Sequence, residues 1–526
     1  MKSLNINELT VEQKIGQLLM VRGFIDDEDR EFIYHMMENR SVGAIQIPPA
    51  LMDYEKEIEE VKRHADYPIL IFADMERGLP TGKYNIPSAM ALSITGDEEL
   101  AYQFGAATAI EAKAKGYSMV GGPVVDLVEG DQMLGLPRSF GEDVEHVCRM
   151  TSAVLRGEMD NGVLGIMKHW PNPPDIRLDG HVFEDVTQFT EKDLMDSVIV
   201  PYLYAIKHEK LGAIMTTHTY IPKIDDTYPA SMSSKIIGML RDQGYDGLMI
   251  TDSFAMIGIL QKFGEEQCYG MSVKAGHDLL LPNYRLPFKT AYEYLLNSYK
   301  KGVFSEERLN EAVRRVITAQ NSTLKEATAL EVSDYQKQCF KTIERESICV
   351  VKDDNVCTQL DKNSKKLFVL LTENYYKDNS GMPFEITNNE GIDDENLETV
   401  KQIVLEKFPN SLIEVANLYP CAQQVEAVCK AAIEVEEVIF VTYAACKCYS
   451  LGGDFTPRII YLMEAVKDKL AGVIHIGNPY PLEAIPHVPR IIISVGGREN
   501  SIEKGLAILN GEYMPKGKLP FKLNLK

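Results

Sequence analysis

Residues 163–181 read Val-Leu-Gly-Ile-Met-Lys-His-Trp-Pro-Asn-Pro-Pro-Asp-Ile-Arg-Leu-Asp-Gly-His. The apolar run at 163–167 is typical of a buried strand, and the prolines that follow can continue neither a strand nor a helix. Lys168 and His169 stand at the strand end, where catalytic groups lie in barrel folds. The stretch therefore indicates a reaction centre. The alternative is a polar loop whose Asp residues cap turns.

Similar apolar runs alternate with helical segments from about residue 10 to 320. The predicted buried strands are 43–47, 69–73, 119–125, 163–167, 212–217, 248–250 and 278–281. Helical spacing is found between them, for example at 98–115, 143–161 and 191–208. Strands that alternate with helices imply parallel strands with crossovers. About seven such units in roughly 300 residues favour an α/β fold with an N-terminal (β/α)8 TIM-type barrel over a doubly wound sheet.

Several of these strands end in polar or charged residues. Those residues are Asp74, Asp126, Lys168 with His169, His218 and Asp252. Because the carboxyl ends of parallel barrel strands meet at one mouth, we expect a ring of functional groups there.

A second α/β pattern begins at Lys366. Its predicted strands are 366–372, 438–442, 472–476 and 490–494, with helical stretches at 397–407, 422–435 and 457–469. The pattern predicts a separate C-terminal α/β sandwich of about 160 residues, close to the common domain size. The expected division is a barrel over 1–325, a linker packing on the barrel over 326–365, and the sandwich over 366–526.

The composition limits the classes of partner. The 526 residues include 77 acidic and 55 basic ones, for a formal net charge of −22. Phosphate binding needs clustered positive charge, so we expect neither a nucleic-acid nor an anionic-membrane partner. The first residues lack the apolar run of a signal peptide, and no apolar segment approaches the length of a membrane span. These features predict a cytoplasmic protein.

The nine cysteines are scattered and form no Cys-x-x-Cys pair. An odd, scattered set is typical of unpaired thiols in a reducing compartment. Cys446 and Cys448 could in principle bind a metal, but a second pair of ligands is lacking nearby. We therefore expect no metal and no cofactor.

Ordered motifs run along almost the whole chain. They are Thr10-Val-Glu-Gln-Lys-Ile-Gly-Gln-Leu18, the stretch 87–97, Arg138-Ser-Phe-Gly-Glu-Asp143, Gly244-Tyr-Asp-Gly-Leu-Met-Ile-Thr-Asp252, Ala275-Gly-His-Asp278, Gly477-Asn-Pro-Tyr480 and Leu509-Asn-Gly-Glu-Tyr-Met-Pro-Lys-Gly-Lys-Leu-Pro520. Together these motifs resemble those of glycoside hydrolase family 3. The loop after the fourth predicted strand resembles the β-N-acetylglucosaminidase branch. That branch has Lys-His-Phe-Pro-Gly-His-Gly-Asp, three residues, then Asp-Ser-His. Here the same spacing gives Lys168-His-Trp-Pro-Asn-Pro-Pro-Asp175 and Asp179-Gly-His181.

The resemblance implies three catalytic residues. Asp252 would be the nucleophile of a retaining glycosidase and would form a glycosyl-enzyme ester. His181 would protonate the departing oxygen, while Asp179 would orient it and support its cationic form. From the residues alone, Asp252 could instead cap a helix, and Asp179-Gly-His181 could be a turn with a surface histidine.

The resemblance also implies residues that bind the substrate. Asp74 would hold the outer hydroxyls of the sugar. Charged hydrogen bonds to ring substituents, and help in placing the nucleophile, are expected from Arg138, Lys168 and His169. Two further residues are expected to line the pocket, His218 and Met256.

The chain departs from the family pattern at the rim of this site. Arg77 stands in place of a glycine, and Pro173 and Pro174 replace a His-Gly pair in the catalytic loop. The prolines should stiffen the loop, because each fixes φ and removes a donor. Trp170, the only tryptophan, either offers an apolar face to the sugar or packs under the loop. An unusual amino sugar, or a bulky or cationic aglycone, would fit these departures.

The sequence thus predicts a retaining exo-β-N-acetylglucosaminidase-like hydrolase, a monomer or homodimer, that acts on small soluble amino-sugar glycosides. One alternative is a phosphorylase on the same scaffold, because a neutral histidine does not repel phosphate. Another is a sugar-binding protein that has lost catalysis. A general β-glucosidase is less favoured, since it would not need the Asp-Gly-His loop.

Overall fold

The computed structural model describes residues 2–49, 53–79, 82–84, 86–130, 138–324, 329–354, 359–372, 392, 396–444, 455–495 and 498–525. The chain divides into two compact units. The first consists of Met1–Ile86, Glu98–Leu127 and Asp143–Lys337. The second consists of Pro87–Asp97, Val128–Glu142 and Gln338–Lys526.

The strands of the first unit form a barrel. They are β1 (Met20–Arg22), β2 (Ala44–Gln46), β3 (Leu70–Ala73), β4 (Met119–Val120), β5 (Leu164–Trp170), β6 (Ala213–Thr216), β7 (Leu248–Ser253) and β8 (Leu279–Leu281). Successive strands pair in parallel, as in β1 with β2 and β7 with β8. A parallel bridge between Leu19 and Leu280 joins the last strand to the first. Within the described residues, this eight-stranded sheet is therefore a closed barrel.

Helices surround or follow these strands. In chain order they are α1 (Val11–Gln17), α2 (Asp27–Glu38), α3 (Tyr54–His64), α4 (Ala89–Thr95), α5 (Glu98–Ala114), α6 (Val144–Asp160), α7 (Glu191–Asp193), α8 (Val200–His208), α9 (Ser234–Arg241), α10 (Ile257–Leu260), α11 (Glu265–Ala275), α12 (Phe288–Lys300), α13 (Glu306–Ser322), α14 (Asp334–Glu346), α15 (Leu397–Lys407), α16 (Ala422–Ile433), α17 (Pro457–Ala465) and α18 (Arg498–Leu509). Short 3-10 helices lie at Ile6–Glu8, Ala230–Met232, Lys467–Lys469 and Tyr480–Ala484, and a π-helical turn at Leu194–Val198.

The apolar runs of the sequence explain the barrel. Every residue of β3, β6 and β8 is buried, as expected for parallel strands covered on both faces. The barrel core includes Phe72, Met119, Ile166, Met215 and Ile250. Because both faces of these strands are buried, their polar side chains lie at the strand ends.

The second unit contains a mixed sheet. Its strands are β9 (Ile348–Asp353), β10 (Lys366–Thr372), β11 (Leu412–Asn417), β12 (Glu437–Ala444), β13 (Leu470–Gly477) and β14 (Arg490–Ser494). Over the described residues the strand order is β11-β10-β12-β13-β14-β9, and β9 pairs antiparallel to β14. Separate apolar clusters form with alternate residues of the central strands, such as Leu367 with Val369 and Phe368 with Leu370. The sheet is therefore covered on both faces.

The predicted fold class, a TIM-type barrel followed by an α/β sandwich, is confirmed. Three strands, β1, β9 and β11, were not predicted from the sequence. The stretch 326–365, expected to be a linker, contains β9, which the pairing with β14 makes part of the second sheet. The stretches 87–97 and 128–142, expected in the barrel domain, belong to the second compact unit.

None of the described helices has the length and apolar character that crossing a membrane requires. Cys446 and Cys448 lie outside the described residues.

Candidate active site

Asp252 lies near the carboxyl end of β7, whose preceding residues are buried. Its Oδ1 accepts a hydrogen bond from the backbone N–H of Ser253 at 2.6 Å. Burial raises the pKa of Asp252, but the Ser253 N–H and three neighbouring histidines more than offset this effect, so the pKa lies below its ordinary value. The histidines are His169, His218 and His181. Asp252 is therefore an ionised carboxylate among imidazoles at a barrel strand end.

Asp179 and His181 form a hydrogen-bonded pair in the loop after β5. Nδ1 of His181 lies 2.7 Å from Oδ1 of Asp179, and the His181 backbone N–H donates to the same oxygen over 2.9 Å. An ionised Asp179 accepts the proton of Nδ1, so Nε2 is the ring nitrogen that can take up or release a proton. The imidazole is 38% exposed and the carboxylate 14%, so a ligand reaches the histidine from solvent.

Backbone hydrogen bonds connect this loop to the segment that follows Asp252. The N–H of Ile257 donates to the His181 carbonyl at 3.1 Å, and the N–H of Gly258 donates to the Gly180 carbonyl at 3.3 Å. The approach requires glycine, because a Cβ on Gly258 would lie 3.0 Å from the Gly180 carbonyl oxygen and 2.3 Å from that of Phe183. The loop that carries Asp179 and His181 is thus held to the segment that follows Asp252 by two backbone hydrogen bonds.

Lys168 is buried at the end of β5 and contacts two carboxylates. Its Nζ lies 2.7 Å from Asp74 Oδ1 and 2.9 Å from Glu76 Oε1. The other oxygen of Asp74 accepts from the Gln46 side-chain amide at 3.3 Å. Because the Asp74 side chain is 53% exposed, it can accept hydroxyl hydrogen bonds from a ligand while Lys168 fixes its position.

His169 is held by Asp126. The His169 backbone N–H donates to Asp126 Oδ1 at 2.7 Å, and Nδ1 of the ring lies 2.8 Å from Oδ2. Both side chains are mostly buried. The imidazole therefore has a fixed orientation near Asp252, whose pKa it lowers.

His218 is buried, and both of its ring nitrogens have hydrogen-bond partners. Nε2 lies 3.1 Å from the Ser253 carbonyl and Nδ1 2.8 Å from the Ser231 hydroxyl. A carbonyl only accepts, so Nε2 carries the proton and Nδ1 accepts from Ser231. Burial lowers the pKa of His218 despite the nearby Asp252. This arrangement favours a neutral ring that positions the β7 end, in addition to the predicted role in lining the pocket.

Met256, also predicted to line the pocket, packs against the loop that carries Asp179 and His181. The residue is buried, and its Cε would lie 3.0 Å from a Cβ built on Gly180. Its side chain thus supports the position of His181 from the β7 side.

Asp185 is a titratable group near Asp179 and His181. It was not predicted from the sequence. Its Oδ1 is buried and has no hydrogen-bond partner in the described part of the chain, and its Oδ2 lies beside Gly180. Burial and the charge of Asp179 raise the pKa of Asp185 to about 7, although His181 acts in the opposite direction. Its position depends on a distant segment, because the Tyr220 N–H donates to the Asp185 carbonyl at 2.8 Å.

The remaining predicted residues have different surroundings. Arg138 belongs to the second compact unit, so its role in binding sugar stays a prediction. Trp170 is fully buried, donates to the Ile236 carbonyl at 3.2 Å and packs edge-on against Tyr202. Trp170 therefore packs against α8 and α9, and its complete burial leaves no face for a sugar.

Asp126 and Glu76 contact predicted site residues but were not among the predicted site residues themselves. Asp126 is one of the strand-end polar residues, and that signal could have identified it. Glu76 stands two residues after Asp74, in the stretch Asp74-Met-Glu-Arg-Gly78. Glu76 holds the ammonium group of Lys168, and Asp126 holds the imidazole of His169.

The family model for the glycosyl hydrolase family 3 N-terminal domain matches residues 10–319. The chain belongs to glycosyl hydrolase family 3. The resemblance found in the motifs is therefore confirmed, and the relatives of this family 3 chain extend it to the β-N-acetylglucosaminidase branch.

Three of these relatives are informative. A β-N-acetylglucosaminidase/β-glucosidase of Cellulomonas fimi is 25% identical over 60% of this chain and 58% of its own length. A β-hexosaminidase of Tolumonas auensis is 28% identical over 43% of this chain and 69% of its own length. The solved structure of a family 3 β-N-acetylglucosaminidase from Paenibacillus sp. str. FPU-7 superposes with a TM-score of 0.80 at 25% identity, covering 98% of this chain and 100% of that one. The family 3 chain thus spans little more than half of the first curated relative.

The described residues contain no group of three or more His, Cys, Asp or Glu side chains that could hold a metal ion. The arrangement described above offers an ionised carboxylate, a carboxylate–imidazole pair and charged hydrogen-bond partners for hydroxyls. These groups can perform nucleophilic attack and proton transfer at a glycosidic bond.

Proposed function

We propose that the protein is a retaining, exo-acting β-N-acetylglucosaminidase-like glycoside hydrolase. Its substrates are small soluble amino-sugar glycosides. Asp252 is the nucleophile, and Asp179 with His181 supplies the acid and base. A relationship between two residues supports this proposal most directly: the ionised Asp252 and the paired His181 are close enough that the imidazole lowers the pKa of the carboxylate.

In the first step, Asp252 attacks the anomeric carbon while His181 gives its Nε2 proton to the departing oxygen. Asp179 accepts from Nδ1 at 2.7 Å and stabilises the imidazolium before transfer. In the second step, the neutral His181 takes a proton from water, which attacks the same carbon and releases Asp252. A low pKa suits the nucleophile, because Asp252 has to be ionised when the sugar binds.

The other groups orient the sugar ring. Asp74 accepts hydrogen bonds from hydroxyls, and its carboxylate is fixed by Lys168. His169 is fixed by Asp126 and lies near the nucleophile. Charged partners of this kind supply orientation as well as strength.

The test is release of chromophore from an aryl β-N-acetylglucosaminide, with and without phosphate, followed by mass analysis of the sugar. Free N-acetylglucosamine in both conditions supports the hydrolase. Sugar 1-phosphate formed only when phosphate is present would make the protein a phosphorylase. Binding of the sugar without turnover would support a sugar-binding protein.

Trapping identifies the nucleophile separately. An activated 5-fluoro N-acetylglucosaminide should add one sugar mass to the intact protein, and peptide mapping should place it on Asp252. The Asp252→Asn variant should remain unlabelled and lose about 10⁴-fold or more in turnover. Asp226→Asn, which changes an exposed carboxylate of the same unit, is the matched control and should be labelled normally. Unchanged turnover by Asp252→Asn would contradict the proposed role.

A further inference from the structure

Two arginines flank one tyrosine at the closure of the barrel. Arg22 ends β1, and Tyr284 and Arg285 follow β8. The guanidinium carbon of Arg22 lies 4.4 Å from the centroid of the Tyr284 ring, and that of Arg285 lies 4.9 Å from it. The ring is 41% exposed, so this arrangement is accessible to solvent.

Both arginines also bind the segment that directly follows Asp252. Arg22 donates from NH1 to the Ser253 hydroxyl at 2.5 Å, and Arg285 donates from NH1 to the Ala255 carbonyl at 2.6 Å. Arg285 donates in addition to the Tyr284 hydroxyl at 3.2 Å. A guanidinium has more N–H donors than these contacts use. The cations are therefore fixed near the nucleophile with donors remaining for a ligand.

Neither arginine forms an ion pair with any carboxylate that the structure describes. Most other arginines of the barrel do, for example Arg30 with Glu57, Arg241 with Asp278 and Arg156 with Glu209. The chain has a net charge of −22, so carboxylates are abundant. The two guanidinium groups that contact the Tyr284 ring are both positively charged and repel each other. An anion bound between them would offset this repulsion.

We propose that Arg22, Tyr284 and Arg285 form a subsite for an anionic oxygen group, a carboxylate or a phosphate, on the leaving-group side of the cleaved bond. The inference rests on the proposed function, since it takes Asp252 as the reacting carboxylate. The groups assigned to the sugar ring come from β3 and β5, each three strands away from β8 in the barrel order. An exo-acting site holds one terminal sugar. A ligand group bound near β8 and β1 therefore belongs to the leaving group.

The same chemistry could come from a second source. The acceptor of the second step enters where the leaving group departed. A free phosphate ion acting as acceptor would therefore use the same two guanidinium groups. The experiment separates the two sources.

Binding by the full-length protein is measured by calorimetry, with a pair of uncleavable S-linked aryl β-N-acetylglucosaminides that differ by one carboxylate on the aryl ring. The carboxylated ligand should bind about tenfold or more tightly than the neutral one, and the ratio should fall as salt is added. The ratio should approach one in the Arg22→Gln, Arg285→Gln double variant. Arg458→Gln is the matched control: Arg458 donates to the Pro420 carbonyl in the second unit and should leave the ratio unchanged.

Inorganic phosphate is titrated separately. Phosphate binding that is lost in the double variant, with sugar 1-phosphate among the products, assigns the subsite to the acceptor. Equal binding of the two glycosides together with no arginine-dependent phosphate binding would overturn the proposal, as would failure of every probe to bind. The aryl glycoside assay above tests the proposed function independently, because calorimetry does not need turnover.

Discussion

The backbone N–H of Ile257 donates to the carbonyl oxygen of His181 over 3.1 Å. Ile257 begins the helix five residues after Asp252, whereas His181 belongs to a loop that follows a different strand. This bond and its neighbour at Gly258 fix the loop that carries Asp179 and His181 relative to the segment that follows Asp252, the proposed nucleophile. Substitutions that shift the loop should therefore reduce catalysis more than they reduce stability.

The Gly180→Ala variant tests this relationship. Its new Cβ would lie 2.4 Å from Asp185 Oδ2 and 3.0 Å from Met256 Cε, so the loop has to shift. A misplaced proton donor costs about 10²-fold in kcat/KM. Gly264→Ala is the control, because a Cβ there meets no described atom within 4 Å. Equal kcat/KM values for the two alanine variants would show that the loop position is unimportant.

Removing the charge of Asp179 should slow the protonation step. In Asp179→Asn, the amide no longer stabilises the imidazolium of His181, and we expect kcat to fall about 10²-fold. Substrates with good leaving groups need little protonation, so an activated aryl glycoside should be affected much less than an alkyl glycoside. The ratio of kcat/KM for these two substrates is the measurement. A uniform loss for both would argue against a role in proton transfer.

Asp185 should make both stability and activity depend on pH. Burial raises its pKa to about 7. A raised pKa means that the folded state holds the proton more tightly than the unfolded state, so this stability is fully present at about pH 4 and is lost as the pH rises through 7. Asp185→Asn keeps a neutral group, so its Tm relative to the wild type should increase by about 2 °C or more between pH 4.5 and 7.5.

The same variant should alter the pH profile of kcat/KM. The limb that titrates near pH 7 should weaken or disappear in Asp185→Asn, because the charge beside Asp179 no longer changes. Asp226→Asn, at an exposed position, should leave both the Tm difference and the pH profile unchanged. A Tm difference that does not vary with pH would show that Asp185 is ionised throughout.

Lys168 should contribute to both stability and substrate binding. Lys168→Gln leaves Asp74 and Glu76 without their shared cation, so Tm should fall and KM for the glycoside should rise about tenfold or more. Lys113→Gln separates the two effects. Lys113 is a half-buried lysine whose Nζ donates to the Gly162 and Thr323 carbonyls, so its loss should lower Tm and leave KM unchanged.

Continuous apolar runs made the central strands predictable, because residues such as 69–73 are buried on both faces. β1 was harder to identify. Met20–Arg22 has only three residues and directly follows Leu18 and Leu19, the apolar residues after α1, so hydrophobic spacing cannot separate strand from helix. β11 was missed because most of its residues are only partly buried, and the run contains Glu414.

For the site, the spacing of strand ends and of the Asp179-Gly-His181 loop located its main groups in one region of the barrel. Asp185 was not predictable, because its burial depends on the contact with Tyr220, which lies far along the sequence. The partners of His218 are also set by distant residues, Ser231 and Ser253. Sequence spacing indicates the candidate site residues, whereas tertiary packing determines their protonation.

The bridge between Leu19 and Leu280 has a consequence for assembly of the molecule. Arg22 ends the first strand of the barrel and Tyr284 follows the last one, so during synthesis they meet only after the whole barrel has emerged from the ribosome. An anion that binds at both residues would stabilise the closed barrel and would not stabilise a partly synthesised one. Such a ligand would slow opening of the barrel at this junction.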